Sequence, residues 1–374
     1  MKQTNVNDLR VQFLEYRPEK PVVSSIGAIT RRVTCLVTVV TEDGLEGVGE
    51  SWVNFPDWAP QERRATIENG VRPLILGMDS ADIDSVHRRL VNQLERIGLQ
   101  WGALGPIWQA ISAVDMALWD IAGKRRQLPV WKLLGGKQNT IPVYASGLGP
   151  DVDEALVRQH LALGINIFKL KVGRSRKQDL AEVAHLRDIV GSQATILVDA
   201  NQGWSHENAQ AIIPDLYRLG VQWVEEPLRA DDLEGTAALA AESLIPIALG
   251  ENLYGREAFR RWTEYRAVQI VQPDLSKCGG FTEARAIVET VKPANIPYAP
   301  HFLGSAVGLV ASAHFLAGVP GGLYLELDTN PNPLRDKLCA NTVRIDDGRL
   351  KLAPDPGLGV SLARDILESY TSHA

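Results

Sequence analysis

Two lysines occupy one face of a stretch, residues 168–173, that otherwise has the pattern of a buried β-strand. Because side chains alternate along a strand, Lys169 and Lys171 point one way and their apolar neighbours the other. Two adjacent ammonium groups lower each other's pKa, and a lysine that is neutral at working pH is a base. The alternative is an exposed sheet edge, where lysine discourages aggregation. The stretches that follow favour the first interpretation.

Three later stretches of β character each end in an acid, and the acids are evenly spaced along the chain. They are Asp199, Glu225 and Glu251. If three successive strands deliver them at one height, the carboxylates share a small volume, where each raises the pKa of the others. A hard divalent cation with oxygen ligands relieves that repulsion, and Mg²⁺ is the natural choice. The alternative, that they are helix N-caps, explains a single acid better than three in register.

An aspartate and a histidine close the next two stretches, at Asp274 and His301. On neighbouring strands the carboxylate can bond the imidazole, fix its tautomer and raise its basicity. A lone histidine is more often structural, but one beside an aspartate at the end of a barrel strand favours a functional role. The eighth stretch carries Glu326 and Asp328, and alternation leaves open which of them points inward.

Brought together, these residues give a metal site with a base on either flank. This arrangement suits the removal of a proton α to a carboxylate, a weakly acidic proton because the enediolate carries a second negative charge. A divalent cation and a cationic lysine stabilise that charge where it develops, while a neutral Lys or His takes the proton.

The elements that must position these residues are β-type stretches that alternate with amphipathic helices from about residue 140. Eight such units predict a (β/α)8-type barrel, in which chemistry sits at the C-terminal ends of the strands. The stretches are residues 141–146, 166–172, 195–201, 221–226, 245–250, 267–273, 296–301 and 323–327. Before them, after an irregular start, residues 32–40 and 45–51 predict an antiparallel pair, and helical patterns follow at about 61–97 and at 107–124.

Two loops of the N-terminal region, residues 21–30 and 52–60, are candidates for contact with a ligand. The second contains Trp52, Phe55 and Trp58, whose rings could form a wall over a bound molecule. Burial of these rings against their own domain is the alternative.

Composition predicts a soluble globular protein with a second, smaller domain. The 374 residues carry a net charge of -6, and no run of Lys or Arg is long enough to bind nucleic acid or a membrane surface. Cys35, Cys278 and Cys339 are odd in number and far apart, which suggests neither a disulfide framework nor a zinc site. Without a cleavable leader or a stretch of about 18 apolar residues, a cytoplasmic protein is expected.

Taken in order, the motifs resemble those of the enolase superfamily, and within it the mandelate racemase-like subgroup. The motifs that carry the resemblance in the barrel are Lys169-Leu170-Lys171, Asp199-Ala200-Asn201, Glu225-Glu226-Pro227, Gly250-Glu251-Asn252, Pro273-Asp274 and His301. Residues 111–120, 134–136 and 356–360 match outside it. The resemblance implies an α/β fold, a modified TIM barrel of (β/α)7β type with an N-terminal α+β capping domain completed by the C-terminal segment. The implied boundaries are 1–135 for the cap, 136–330 for the barrel and 331–374 for the returning segment.

The resemblance also implies roles on one side of the site. Asp199, Glu225 and Glu251 would hold Mg²⁺. Lys171 would be the base on one face, and Lys169 would contact the substrate carboxylate and depress the pKa of Lys171.

On the other face, the resemblance makes His301, with Asp274, the second acid/base. Glu326 looks like the family's carboxylic acid that hydrogen-bonds the substrate carboxylate. The N-terminal loops become specificity loops that close over the substrate. The expected substrate contacts are Asn201, Trp52 and Phe55. Related subgroups place a lysine after the sixth strand, and the Asp274–His301 pair argues against those subgroups.

The expected reaction is Mg-dependent dehydration of a sugar acid to a 2-keto-3-deoxy acid, by analogy with this subgroup. A racemase, an epimerase or a lactonizing cycloisomerase is the main rival. Retention of every polar group that the chemistry needs argues against a non-catalytic scaffold. A phosphate-binding barrel is also disfavoured, because Gly304 and Ser305 follow strand 7 but strand 8 lacks a Gly-rich end. A homo-oligomer that acts on a small carboxylate, with no nucleic acid or membrane partner, is expected.

Overall fold

The structure is a computed structural model that describes residues 4–23, 25–339 and 344–372. Its strands are β1 (Val6–Tyr16), β2 (Val22–Val23), β3 (Ala28–Ile29), β4 (Arg32–Thr41), β5 (Glu46–Trp52), β6 (Thr140–Leu148), β7 (Ile167–Lys171), β8 (Thr195–Asp199), β9 (Val221–Glu225), β10 (Ile247–Leu249), β11 (Ile270–Val271), β12 (Leu325–Asp328), β13 (Arg344–Asp346), β14 (Arg349–Lys351) and β15 (Thr371–Ser372).

The α-helices are α1 (Ala59–Ala65), α2 (Arg72–Ile75), α3 (Ile83–Trp101), α4 (Leu104–Arg126), α5 (Val130–Leu133), α6 (Glu154–Ala162), α7 (Arg176–Val190), α8 (His206–Arg218), α9 (Leu233–Glu242), α10 (Gly255–Glu264), α11 (Gly280–Val291), α12 (Ala306–Gly318), α13 (Pro333–Asp336) and α14 (Arg364–Tyr370). A π-helical segment (Thr66–Val71) joins α1 to α2, and a 3₁₀ turn (Lys292–Ala294) follows α11. In the part of the chain that the structure describes, no helix combines the length and the apolar character needed to cross a bilayer.

The cap is built on an antiparallel sheet with the strand order β15-β1-β4-β5. The pairing of β4 with β5 confirms the predicted antiparallel opening, but the predicted irregular start is wrong, because β1 pairs with β4 along its whole length. Strand β5 lies so close to α4 that a Cβ on Gly47 or Gly49 would meet helix carbonyl oxygens at 2.0 and 1.9 Å. Glycine at these two positions therefore lets the helix cover the sheet.

The helical pattern predicted at about residues 61–97 is interrupted at Gly77. This residue has φ of +78°, a conformation that glycine adopts without steric cost. Its N–H donates to the carbonyl oxygen of Val6, and the Val6 N–H donates to that of Met78, at 2.8 Å in each case. The chain therefore leaves the helix to contact β1 before α3 begins.

The barrel consists of parallel strands β6 to β11 in chain order, and β12 pairs with β6 in parallel and closes the barrel. The seventh position is occupied by Tyr298, which bridges its two neighbours as a single residue. The strand predicted at 296–301 is thus much shorter than expected, because Pro297 and Pro300 lack the N–H groups that a ladder needs. Helices α6 to α12 alternate with the strands, so the (β/α)7β architecture is confirmed.

Inside the barrel, an apolar floor lies below a polar layer. The buried residues of the floor are Tyr144, Ile167, Leu197, Trp223, Ala248, Ile270 and Ala299. On β7, β8 and β9 the residues two positions beyond the floor, on the same face, are Lys169, Asp199 and Glu225. Strand alternation therefore places the polar groups above a packed apolar layer.

The C-terminal segment contacts both parts of the molecule. Strand β14 pairs with β13 and with the beginning of β6, and both pairs are antiparallel. Strand β15 then joins the cap sheet beside β1. The cap is therefore completed by the end of the chain, as the resemblance implied.

Candidate active site

Lys169 is buried in the interior of the barrel. Strand β7 lies between β6 and β8, so its lysines do not mark a sheet edge. The side chain of Lys169 is 1% exposed, and its Nζ lies 2.8 Å from both carboxylate oxygens of Glu225 and 2.8 Å from Oε1 of Glu326. Burial alone would lower the pKa of Lys169, but these two carboxylates raise it well above its usual value. Lys169 is therefore a fixed cation at the centre of the polar layer.

Lys171 lies at the end of the same strand, where it is less buried. Its Nζ is 2.5 Å from Oδ2 of Asp199 and 2.7 Å from Oδ1 of Asn201. Burial lowers the pKa of Lys171, and Lys169 lowers it further as predicted, but Asp199 raises it and the net shift is upward. In this arrangement Lys171 holds a proton beside a carboxylate.

The three acids predicted to bind metal end adjacent strands. Asp199 and Glu225 are register partners on β8 and β9, and Glu251 follows β10. Each carboxylate faces the nitrogen of a basic side chain; in that order the partners are Lys171, Lys169 and His301. Because the carboxylates point at these nitrogens, no three Asp, Glu, His or Cys side chains within residues 4–23, 25–339 and 344–372 converge as a metal centre would require.

The chemistry of the donor set nevertheless suits a hard divalent cation. A fourth carboxylate, Glu226, lies beside the three acids, and its Oε2 is buried without a hydrogen-bond partner among the described residues. Burial raises the pKa of Glu226 well above its usual value, and the charges of Glu251 and Asp199 raise it further. An excess of crowded carboxylate oxygen is the condition that an oxygen-preferring cation relieves.

The predicted Asp274–His301 pair is confirmed. Nδ1 of His301 donates to Oδ2 of Asp274 at 2.7 Å, and its Nε2 contacts Glu251. The other oxygen of Asp274 accepts from the N–H and the hydroxyl of Ser276, at 2.7 and 2.5 Å. Burial alone would lower the pKa of His301, but Glu251 and Asp274 raise it well above its usual value. The imidazole is thus held in a fixed orientation between two carboxylates that favour its protonated form.

On the eighth strand, Glu326 is the acid that joins the polar layer. It accepts from the hydroxyl of Ser146 at 2.5 Å, whereas Asp328 pairs with Arg32 of the cap at 2.5 Å. Burial alone would raise the pKa of Glu326, but the charges of Lys169 and His301 and the hydrogen bonds from Lys169 and Ser146 together lower it to about 2. In this arrangement Glu326 is an anion that accepts hydrogen bonds, whereas the role implied by the resemblance requires it to carry a proton.

Comparison with known families agrees with this geometry. Residues 9–135 match the N-terminal domain of the mandelate racemase / muconate lactonizing enzyme family, and residues 152–366 match the enolase C-terminal domain-like family. The chain belongs to the mandelate racemase/muconate lactonizing enzyme family. This family lies within the enolase superfamily, as the sequence motifs implied, and the protein is an enzyme of that superfamily.

Similar members of the family have different enzyme names. The arabinonate dehydratase of Saccharolobus solfataricus is 31% identical over 98% of this chain and 99% of its own length. The D-galactarolactone cycloisomerase of Agrobacterium fabrum is 28% identical over 98% of each chain. A solved racemase structure from Streptomyces coelicolor with bound magnesium has a TM-score of 0.89 at 28% identity, over 98% of this chain and 100% of the other. Membership therefore establishes enolase-superfamily chemistry and leaves the particular reaction open.

Sequence reasoning assigns no role to three polar residues of the site: Glu226 and Asn252, which lie within the family motifs, and Lys277. Nδ2 of Asn252 donates to Glu226 at 2.8 Å and to Glu251 at 3.1 Å, while its Oδ1 accepts from Lys277 Nζ at 3.4 Å. Lys277 is a buried lysine after the sixth strand, a position that the sequence argument had set aside. In the sequence, the position of Lys277 three residues after Asp274 was the one indication of a role. Its proximity to Glu251 depends on the fold.

Of the aromatic residues in the loop at 52–60, Trp52 is the one that contacts the polar layer of this mandelate racemase-like site. Its ring lies 4.7 Å from Nζ of Lys277. The ring of Phe55 packs on that of Trp52 with centroids 6.0 Å apart, so Phe55 supports Trp52. Trp58 is 70% exposed, which argues against the burial alternative for this residue.

The loop at 21–30 reaches the site through Ser25. Its hydroxyl lies 3.0 Å from the carbonyl oxygen of Ala200 and also contacts that of Asn201. Asn201 in turn accepts a hydrogen bond from Lys171 through its side chain. Ser25 is thereby attached to the segment whose Asn201 side chain contacts Lys171.

Proposed function

We propose that this enzyme removes the proton α to the carboxylate of a sugar acid and dehydrates it to a 2-keto-3-deoxy acid. The observation that supports the proposal is that two proton carriers flank the acids. Lys171 ends the strand before the three acid-bearing strands, and His301 follows them around the barrel, with Glu251 as its nearest acid of the three. A carboxylate substrate between these groups would have a proton-transfer residue on each side.

The residues that would hold a divalent cation are Asp199, Glu225 and Glu251. Mg²⁺ is proposed because the ligands are carboxylate oxygens and because the similar racemase structure contains magnesium. A cation held there would stabilise the second negative charge of the enediolate and relieve the pull of Asp199 on the Lys171 proton. Glu226, tied to Glu251 through Asn252, would keep that ligand oriented.

The proton transfers are assigned to the enzyme's own side chains. Lys171 Nζ or His301 Nε2 takes the proton from C2, and the electrons of the broken C–H bond move into the carboxylate to form an enediolate. When the enediolate collapses, the C3–O bond breaks and the protonated His301 gives its proton to the departing hydroxide, which leaves as water. The resulting enol takes up a proton at C3 and releases the proton of its C2 hydroxyl, which gives the 2-keto-3-deoxy acid.

The remaining contacts are assigned to residues around these two groups. Lys169, a buried cation beside Glu326, is proposed to face the substrate carboxylate. The other proposed substrate contacts are Asn201, Trp52 and Phe55. The homo-oligomeric state and the cytoplasmic location stay predictions from the sequence.

A racemase, an epimerase or a lactonizing cycloisomerase is the second candidate. The same two proton carriers could remove a proton from one face of C2 and return it to the other. The similarity to a galactarolactone cycloisomerase, at nearly the same level as to a dehydratase, favours keeping this reaction class under test.

Proton NMR in D2O distinguishes dehydration from isomerisation. The purified enzyme is incubated with Mg²⁺ and a pool of sugar acids, and the C2 proton signals are followed. Loss of a C2 signal together with new 2-keto-3-deoxy resonances is the expected result. Deuterium exchange at C2 without that product would favour the isomerase, and a pool that stays unchanged would contradict the sugar-acid assignment. The same incubation with EDTA should stop either reaction.

A further inference from the structure

A carboxylate of the cap is buried at the beginning of a barrel helix. Glu50, on β5, is 1% exposed. One oxygen accepts from the N–H of Ser305 at 2.8 Å, and the other accepts from the Ser305 hydroxyl at 2.7 Å and from the Gly308 N–H at 2.8 Å. These donors belong to the first turn of α12 and the residue before it, so Glu50 occupies an end of a helix that attracts anions.

The barrel leaves room for this carboxylate by means of glycine. A Cβ on Gly304 would lie 2.5 Å from Oε1 of Glu50, and one on Gly308 would lie 3.0 Å from Oε2. The site is therefore shaped for two carboxylate oxygens and offers three donors to them. Burial raises the pKa of Glu50, while the donors at Ser305 and Gly308 oppose that effect.

The segment that binds Glu50 begins at the proton carrier His301. At its start, His301 is held by Asp274, and the N–H of Phe302 donates to Glu326 at 3.0 Å. At its end, Ser305 is held by Glu50. The segment is thus fixed at one end by the barrel and at the other by the cap.

We propose that Glu50 is a positioning residue, whose carboxylate anchors the cap to the segment 301–305 and so fixes the imidazole of His301 for proton transfer. The same contact explains why Gly304 and Ser305 do not form a phosphate site. Barrel enzymes often bind a substrate phosphate at a helix N-terminus in this region, and here the enzyme's own carboxylate already occupies the donors. The inference concerns the geometry of the proposed site and does not depend on which acid is the substrate.

Rescue by acetate tests the proposal. Glu50→Ala removes a CH2–COO⁻ unit from the side chain, and free acetate can occupy the space of that unit. We expect Glu50→Ala to lower kcat roughly 100-fold, the size of effect that a small misplacement of a catalytic group produces, with little change in KM. Acetate, titrated at constant ionic strength against chloride, should restore most of that kcat and raise the melting temperature of the variant. An equal response to chloride, or no response to acetate, would overturn the proposal.

Two further variants serve as controls. In Glu50→Ala/Gly304→Ala the added Cβ fills the space of one carboxylate oxygen, so acetate should no longer act. Glu46→Ala, at an exposed position of the same strand that pairs with Arg10, should not respond to acetate. If Glu50→Ala folds only in the presence of acetate, that requirement itself supports a carboxylate site at Ser305 and Gly308. Glu50→Gln, which loses one acceptor, should then show the lowered kcat in a folded protein.

Calorimetry of acetate binding also separates this inference from the proposed reaction. If the wild-type enzyme turned over no sugar acid, the proposed reaction would be wrong. Acetate binding to Glu50→Ala, measured by calorimetry, would still support the anchoring role of the Glu50 carboxylate. If the wild-type enzyme were active and acetate did not bind to Glu50→Ala, only the inference about Glu50 would be wrong.

Discussion

The wall of the barrel and the cap above it hold their polar residues in different ways. On the wall, the reactive side chains stand on strands in register: Lys171 is the partner of Asp199, and Asp199 that of Glu225. On the cap, Ser25 reaches the site from a loop by a hydroxyl contact, and Trp52, the last residue of β5, packs its ring on Lys277.

We propose that this difference separates the residues of the reaction from those of substrate recognition. Backbone ladders fix the wall, so its charged groups are held in place before a substrate arrives. Each of these two cap contacts is a hydrogen bond or a cation–π contact of about 1 kcal/mol, and it can be lost while the ladders stay intact. We therefore expect changes on the wall to abolish the reaction and changes at these two cap residues to alter substrate binding, whereas Glu50, a cap residue that anchors the His301 segment, should affect turnover.

The largest effect is expected for the two proton carriers. Lys171→Ala and His301→Asn should each lower kcat by roughly 1,000-fold or more, because proton transfer loses its donor or acceptor. Circular dichroism and Mg²⁺ calorimetry should show an intact fold and metal binding, since the proposed ligands remain. Full activity in both variants would refute the two-base model.

The next effect concerns the metal. Glu225→Gln should weaken Mg²⁺ binding at least about tenfold by calorimetry, because it replaces a charged ligand by a neutral amide. Glu226→Gln is the matched control, an adjacent buried acid that is not a proposed ligand, and its effect should be smaller. An unchanged isotherm for Glu225→Gln, or equal losses in both variants, would show that the ligand set is misassigned.

The residues of the barrel wall could be predicted from the sequence because their positions follow from short-range patterns within each strand. A strand ends in a reactive residue, alternation fixes the face, and equal spacing brings Asp199, Glu225 and Glu251 to adjacent strands. The pairing of Asp274 with His301 followed from the same reasoning and is confirmed. The net pKa of Lys171 could not be predicted in this way, because it depends on the distance to Asp199, which spacing does not give.

The cap was harder to predict because its contacts join residues far apart in the chain. Strand β1 is stabilised by β4 and by β15 from the other end of the protein, so a local pattern did not reveal it. Lys277, in the barrel, also has surroundings that come from distant residues, among them Trp52 of the cap and Asn252. In contrast, the seventh strand was overestimated although Pro297 and Pro300 already excluded a regular ladder.

Two tryptophans in residues 52–60 test the expectation that cap residues act on substrate binding. Trp52→Ala removes the ring that packs on Lys277, and we expect KM to rise roughly tenfold with a smaller change in kcat. Trp58→Ala changes a 70% exposed ring in the same loop and should leave both constants near the wild-type values. Equal effects of the two substitutions, measured by steady-state kinetics, would contradict the assignment of Trp52 to substrate binding.

The smallest effect is expected where the loop at 21–30 meets the wall. Ser25→Ala removes one hydroxyl contact with the carbonyl oxygens of Ala200 and Asn201, worth about 1 kcal/mol, so KM should rise about fivefold. The turnover number should stay close to the wild-type value, because Lys171 bonds the side chain of Asn201 and not the carbonyl that Ser25 contacts. Ser25→Thr keeps the hydroxyl and should restore most of the affinity. A fall in kcat with unchanged KM would place Ser25 with the proton carriers and make the loop part of the reaction itself.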